Sequence, residues 1–154
     1  MGIERLDHCS IRTTRLEETR RFYEEVMGFS PGPRPPFPFP GVWLYKGDQA
    51  VVHVVGVDPG DAEGLKAYLG DRADPGARGT GTIDHVAFAA TGVGDMRARL
   101  GRGGHAYRER TVPSLGLHQI FVEDPNGVTL ELNYPASEVA HERAEAGAAA
   151  RAAA

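Results

Sequence analysis

Four side chains able to bind a metal or carry a proton recur at matched positions along the 154-residue chain: His8, His53, His85 and Glu131. His8 and His85 are 77 residues apart, and His53 and Glu131 are 78 apart. Each lies in a stretch of alternating hydropathy. Cys9 and Ile11 flank the His8 position, Val86 and Phe88 that of His85; Val52 and Val54 bracket His53, and Leu130 and Leu132 bracket Glu131. Successive strand side chains point to opposite faces, so each strand offers one apolar face and one that carries an imidazole or a carboxylate. A carboxylate among strand hydrophobes is costly to bury unless positive charge compensates it. Imidazole nitrogens with a carboxylate oxygen suit zinc, iron, nickel, cobalt or manganese. A lone strand histidine is ordinary packing or surface chemistry. Four such groups at repeat-equivalent positions instead point to a divalent metal held by His8, His85 and Glu131. His53 is either the fourth ligand or an acid–base group beside the metal. Two histidines and a carboxylate with open positions form the facial set associated with non-haem Fe(II), whereas a fourth ligand leaves one or two positions for water or substrate.

The elements that must position these groups repeat as well. Residues 6–13 read LDHCSIRT and residues 83–90 read IDHVAFAA, each an apolar residue, Asp-His and a strand-like run. A helix follows in both halves. In the first, Thr14-Arg15-Leu16-Glu17 fits a capping box, Leu16, Phe22, Tyr23, Val26 and Met27 recur at helical spacing, and Gly28 ends the run. In the second, Val93, Met96 and Leu100 form a shorter stripe ended by Gly101, Gly103 and Gly104. Strands are expected at 42–46 and 50–57, then at 104–109, 117–123 and 128–134. Asp124-Pro125-Asn126-Gly127 joins the last two as a tight hairpin. Residues 61–69 suit a short helix, and the Gly-rich 70–82 a linker between halves. The fold class is therefore α+β, with two copies of one βαβββ module.

Further candidates surround this set. Arg12 shares a face with His8 and Ser10 if alternation holds, and can grip an anionic oxygen with two bonds. Trp43, Tyr45 and Tyr107 are candidate lining residues, although strand aromatics are commonly packing. His118, opening the seventh strand, is an acid–base candidate whose plainer reading is a loop-edge histidine. Cys9 faces the helix side as a small core residue. The segment PGPRPPFPFPG at 31–41 cannot be a central strand, since proline donates no ladder bond. It reads either as an apolar lid with Phe37 and Phe39 exposed or as a rigid edge or dimer-contact loop. Residues 136–154 are Ala-rich and suggest a frayed helix or one docked on a partner subunit, with His141 at the surface.

Composition narrows the function classes. With 41% hydrophobic residues and a net charge of -4, one compact domain is the default. Positive charge is nearly all arginine, Lys46 and Lys66 being the only lysines, and no basic stripe appears, so no nucleic-acid partner is expected. Cys9 is the sole cysteine, which excludes an intrachain disulfide. The opening MGIERLDHCS has charges where a leader needs an apolar run, and no apolar stretch approaches a membrane span. A cytoplasmic protein with no membrane partner is expected.

LDHCSIRT, RRFYEEVMGF at 20–29, IDHVAF at 83–88 and QIFVEDPNGVTLELNY at 119–134 resemble the vicinal oxygen chelate superfamily. That group includes glyoxalase I, bleomycin-resistance proteins and type I extradiol dioxygenases. The resemblance spans residues 3–135, with modules at about 3–58 and 80–135. It implies mixed sheets curled into a cup around a divalent metal (Fe, Zn, Ni, Mn or Co), a homodimer, and a small substrate that chelates through adjacent oxygens. The family ligands fall on His8, His85 and Glu131. Where glyoxalase I and the epimerases place Glu or Gln on the fourth strand, this chain has His53. The leading implied activity is a metal-dependent lyase or isomerase of the glyoxalase type, with Glu131 moving the proton. The alternative is a ring-cleaving Fe(II) dioxygenase with His53 or His118 as acid–base. A third is a metal-free protein that binds a planar molecule. The lack of a basic cluster argues against acyl-CoA substrates.

Overall fold

The alternating run after His8 folds as β1 (Cys9–Thr13), followed by α1 (Leu16–Glu25), the short β2 (Ser30–Gly32), β3 (Gly41–Lys46) and β4 (Gln49–Gly56). The second repeat forms β5 (Val86–Ala89), α2 (Val93–Arg102), β6 (Tyr107–Val112), β7 (Leu117–Glu123) and β8 (Thr129–Pro135), with a 3-10 turn at Pro113–Leu115. The structure is a computed structural model that describes residues 6–58, 60, 63–65, 79, 85–142 and 151. The chain divides into two compact units, Met1–Arg78 and Gly79–Ala154. Their sheets share one topology, β1-β4-β3-β2 and β5-β8-β7-β6. In each, the first strand runs parallel to the last and the remaining pairs are antiparallel. Both units are thus the expected βαβββ module with a mixed sheet. The short helix read at 61–69 and the linker at 70–82 lie mostly outside the described residues.

In the first unit Tyr23 of α1 and Leu44, Val52 and Val54 of β3 and β4 are almost fully buried. They form the helix-facing side of the sheet, where apolar burial supplies most of the driving force. The start of α1 differs from the capping box read at Thr14. Arg15 is the N-cap and its side chain makes no cap bond, while Thr13 Oγ1 accepts from Arg15 N at 2.8 Å. Thr13 closes β1 and Thr19 sits 3.4 Å from it inside the core, so the strand end orders the helix entry. Gly28 adopts φ 68, a left-handed turn that favours glycine, and Phe29 N returns to the Tyr23 carbonyl at 2.9 Å.

The proline-rich segment is neither a central strand nor a lid of exposed rings. Its first residues form the edge strand β2, where a missing N–H is tolerated. Phe39 is buried in a cluster with Val57 and Leu65, and Phe37 packs against that cluster. The rings of Phe37 and Phe39 stack at 5.3 Å, and Arg34 Nη2 donates to the Phe39 carbonyl at 2.8 Å. An apolar anchor therefore holds the loop down.

In the second unit Leu100 of α2 and Ile120, Leu130, Leu132 and Tyr134 of β7 and β8 are all nearly inaccessible. Gly92 precedes α2 and has no side chain to cap it. The cap comes from 45 residues downstream: Glu138 Oε2 accepts from Gly92 N at 2.9 Å and Val93 N at 3.0 Å. Residues 136–142 are helical and belong to the same unit, with Val139 buried and His141 exposed. Arg97 of α2 pairs with Glu142 and, through two bonds, with Glu109 of β6. No helix among the described residues is long and apolar enough to cross a membrane.

The Glu138 cap makes a checkable prediction. Glu138→Ala leaves two N-terminal amides of α2 without their acceptor and should cost about 1 kcal/mol, lowering the melting temperature by roughly 2–4 °C in a chain of this size. Glu138→Gln, which keeps an acceptor oxygen, should recover part of the loss. Thermal denaturation followed by circular dichroism would measure both, and an unshifted Glu138→Ala melt would remove the cap from the account of α2.

Candidate metal centre

Each unit brings two of the four sequence-predicted donors together. His8 and His85 both stand one residue ahead of a strand, β1 and β5, at the lip of the sheet. In the first unit, β1 and β4 pair with Ser10 opposite His53, and β3 and β4 with Trp43 opposite His53. One column of rings results. His53 stacks on His8 at 3.9 Å and on Trp43 at 4.1 Å, with the latter pair nearly parallel. The His8 lip is tied down by Gln49, whose Nε2 donates to the Asp7 carbonyl at 2.7 Å. Asp7 Oδ2 accepts from His8 Nδ1 at 2.7 Å, which leaves Nε2 as the free lone pair. Burial pushes His53 below the ordinary imidazole value, and the neighbouring His8 pushes it the same way, against the opposing pull of the Ala50 carbonyl and Asp7. His53 is therefore a neutral ring near pH 7. The rings front an open groove of about 870 Å³ that Arg12, Phe37, Tyr45 and Val55 also line.

In the second unit, the parallel pairing sets Ala87 opposite Glu131, and His85, two residues before Ala87, falls on the same face. Glu131 is 7% exposed. Its two oxygens have different surroundings. Oε1 accepts from Gln119 Nε2 at 2.9 Å and from Asn133 Nδ2 at 2.8 Å. Oε2 lies 3.4 Å from His85 Nε2. The amides compensate one side of a buried carboxylate and leave the other turned toward an imidazole nitrogen. Two donors of a tetrahedral zinc-type ion, each bonded at ~2.0–2.1 Å, stand about 3.3–3.4 Å apart. The His85–Glu131 pair has that separation and the right donor atoms. Among the described residues no group of three or more His, Cys, Asp or Glu is arranged so that it could hold a metal ion. The donors come as pairs, His8 with His53 and His85 with Glu131.

The register leaves other candidates elsewhere. His118 pairs with Tyr134 and Thr111, on the face opposite Glu131. There it is 4% exposed, with Nδ1 at 2.9 Å from Thr111 Oγ1 and Nε2 at 2.8 Å from Glu109 Oε2. Arg97 and His118 both hold Glu109 below the usual carboxylate range. Tyr107 also falls on that opposite face, beside Val122. Neither is brought to the face that carries Glu131. Arg12 and Trp43 do share the groove with His8 and His53. The sequence reading passed over Gln119 as a carboxylate-orienting amide and over Arg108 and Arg110, which lie over the Phe121 ring at 4.5 and 5.1 Å. Alternation in YRERTV and LHQIFVE was the available signal.

Paired βαβββ modules of this topology are shared with known proteins. Residues 5–132 match the family model described as the Glyoxalase/Bleomycin resistance protein/Dioxygenase superfamily, and the chain belongs to that superfamily. It is similar to Glyoxylase I 4 of Arabidopsis thaliana, 25% identical over 130 residues that cover 82% of this chain and 68% of the relative. Solved structures share the fold. A putative glyoxalase family protein from Bacillus anthracis has a TM-score of 0.64 at 21% identity, covering 88% of this chain and 98% of that one. TnmS3, an antibiotic binding protein from Streptomyces sp., gives 0.60 at 21% identity, with 88% and 98% covered. The fosfomycin resistance protein FosX from Listeria monocytogenes gives 0.61 at 14% identity, with 86% and 94% covered. The superfamily holds enzymes and non-enzymatic resistance proteins, and its members commonly bind divalent metals.

The depressed His53 has a consequence for stability. In metal-free protein the unfolded chain takes up the His53 proton at the ordinary value, before the folded state does. Stability is then insensitive to this group well above pH 6.5 and falls as pH drops through that value. His53→Gln should flatten this part of the profile, measured by thermal denaturation of chelator-treated protein between about pH 8 and pH 5. An identical slope in the variant would contradict the assignment.

Proposed function

We propose that this chain is a divalent-metal-dependent lyase or isomerase of the glyoxalase type, acting on a small molecule with two adjacent oxygens. The observation that carries the reading is the divided carboxylate of Glu131, with Oε1 pinned by two amides and Oε2 facing His85 Nε2 at 3.4 Å. The proposed ligands are His8, with its Nδ1 on Asp7, and His53, a neutral ring that loses no proton on binding, in the first unit, and His85 and Glu131 in the second. A divalent ion held there would supply Lewis-acid polarisation of a substrate's adjacent oxygens, which would make the neighbouring C–H more acidic. Glu131, once its Oε2 lets go of the ion, takes that proton on Oε2 and returns it to the neighbouring atom, while Oε1 stays on Gln119 and Asn133 and keeps the carboxylate in register. Arg12 and Trp43 line the groove of the first unit and are the proposed substrate-binding residues there. The stacked rings of Trp43, His53 and His8 favour a second reading, in which the same groove holds a planar molecule without turnover.

Metal analysis tests the first reading. Purified protein reloaded with Zn, Mn, Ni, Co or Fe should hold about one equivalent per chain. Glu131→Gln and His85→Ala should weaken binding beyond the 10–100-fold typical of losing an outer hydrogen-bond partner. The loaded protein should isomerise the hemithioacetal of a 2-oxoaldehyde and a thiol. Oxygen uptake with a catechol under Fe(II) would redirect the assignment to ring cleavage. Protein that takes up none of these metals would leave the ligand-binding reading in its place.

A further inference from the structure

We propose that the open face of the second sheet carries an oxyanion seat built by Arg108 and Arg110, so that the substrate is an acid with a carboxylate, phosphonate or phosphate group. The two arginines are alternate residues of the edge strand β6, paired with Phe121 and Gln119 of β7. Glu131 of β8 pairs with Phe121 as well, so all of these share one face. Both guanidinium carbons lie over the Phe121 ring. Two like charges are thus gathered on one hydrophobic ring.

Three other arginines meet carboxylates: Arg15 with Glu18, Arg20 with Glu17 and Glu24, Arg97 with Glu109 and Glu142. Arg108 makes no ion pair among the described residues. Glu123 lines the same shallow depression without pairing to it. Glu109, the residue between the two arginines, is turned to the opposite face and engaged by Arg97 and His118. Among the described residues Arg110 directs only Nε to a protein acceptor, Gln119 Oε1 at 2.6 Å, and its outer nitrogens meet no other. Exposed, planar, multiply donating groups held flat on a ring suit two-point recognition of an oxyanion.

The seat is wired to the donor pair. Phe121 meets the His85 ring edge-on at 6.4 Å. Arg110 occupies the carbonyl oxygen of Gln119, which obliges that amide to present its NH2 to Glu131 and Asn133. Strand β6 lies two strand spacings from β8, about 9.5 Å, so the acid group and the reacting oxygens belong to one short molecule. The seat itself stands on Arg108, Arg110 and Phe121; that its occupant is the substrate rests on the metal-centre reading above.

The test uses full-length, metal-free protein titrated at constant ionic strength with inorganic phosphate and, separately, with acetate, followed by NMR chemical shifts. Saturable one-to-one binding of either anion is expected, weakened at least tenfold in Arg108→Met and in Arg110→Met but unchanged in Arg102→Met, a charge-matched control at the end of α2. Arg108→Lys should retain part of the affinity. Shifts should centre on Phe121 and Gln119. No saturation, equal binding by all variants, or full displacement by equimolar chloride would overturn the seat. Cobalt(II) titration of Arg108→Met separates the two ideas: unchanged metal affinity with lost anion binding supports the seat as a distinct element. Phosphate binding in a wild-type protein that takes up no metal upholds the seat and removes the metal centre.

Discussion

A buried carboxylate dictates much of the second unit. Glu131 sits between Leu130 and Leu132 in a strand nearly closed to water, where an uncompensated charge is expensive. Gln119 and Asn133 supply compensation on one oxygen, and both can do so only because β7 and β8 hold one register. A slip by one residue would turn Glu131 to the helix side and expose the leucines. The hairpin prevents it. Asp124 Oδ1 accepts from Asn126 N and Val128 N, and Gly127 takes the left-handed φ of 80 that the turn needs. The parallel partner β5 then delivers His85, through a crossover helix whose first turn is capped by Glu138.

The same alternation divides labour along single strands. On β6, Arg108 and Arg110 rise over Phe121 on Glu131's face, while Glu109 and Thr111 turn toward α2 and engage His118 and Arg97. His118 thereby becomes part of a polar clasp that joins α2, β6 and the helix at 136–142. On the other side of the sheet His85 faces Glu131 instead. Sequence neighbours a single residue apart thus perform unrelated tasks, and only the face decides which.

The first unit solves its problem with rings. His53 replaces the carboxylate or amide that the glyoxalase resemblance implied for the fourth strand, and it is held flat between Trp43 and His8. Burial and the neighbouring His8 lower its pKa below the ordinary imidazole value, whereas the second unit uses amides to hold the Glu131 carboxylate. Equivalent positions in the two modules are therefore stabilised by different physics.

Much of this was readable in the residues. Strand alternation, the Asp-Pro-Asn-Gly turn, the helical stripes and the 77- and 78-residue offsets between donors sufficed for the paired modules and for the family. Local patterns specify local geometry, and a repeat specifies equivalence. Hydropathy could not show that Phe39 is anchored in a core cluster, that the cap of α2 comes from Glu138, or that Thr13 rather than Thr14 orders the start of α1. Nor did it reveal that Arg110 aligns Gln119 against Glu131, or that His118 faces the helix. These depend on strand register and on contacts between distant residues, which side-chain type alone does not encode. The candidate donors stood out because such side chains are rare on strands; the residues around them did not, because amides and arginines are common everywhere and acquire meaning only from what lies across the sheet.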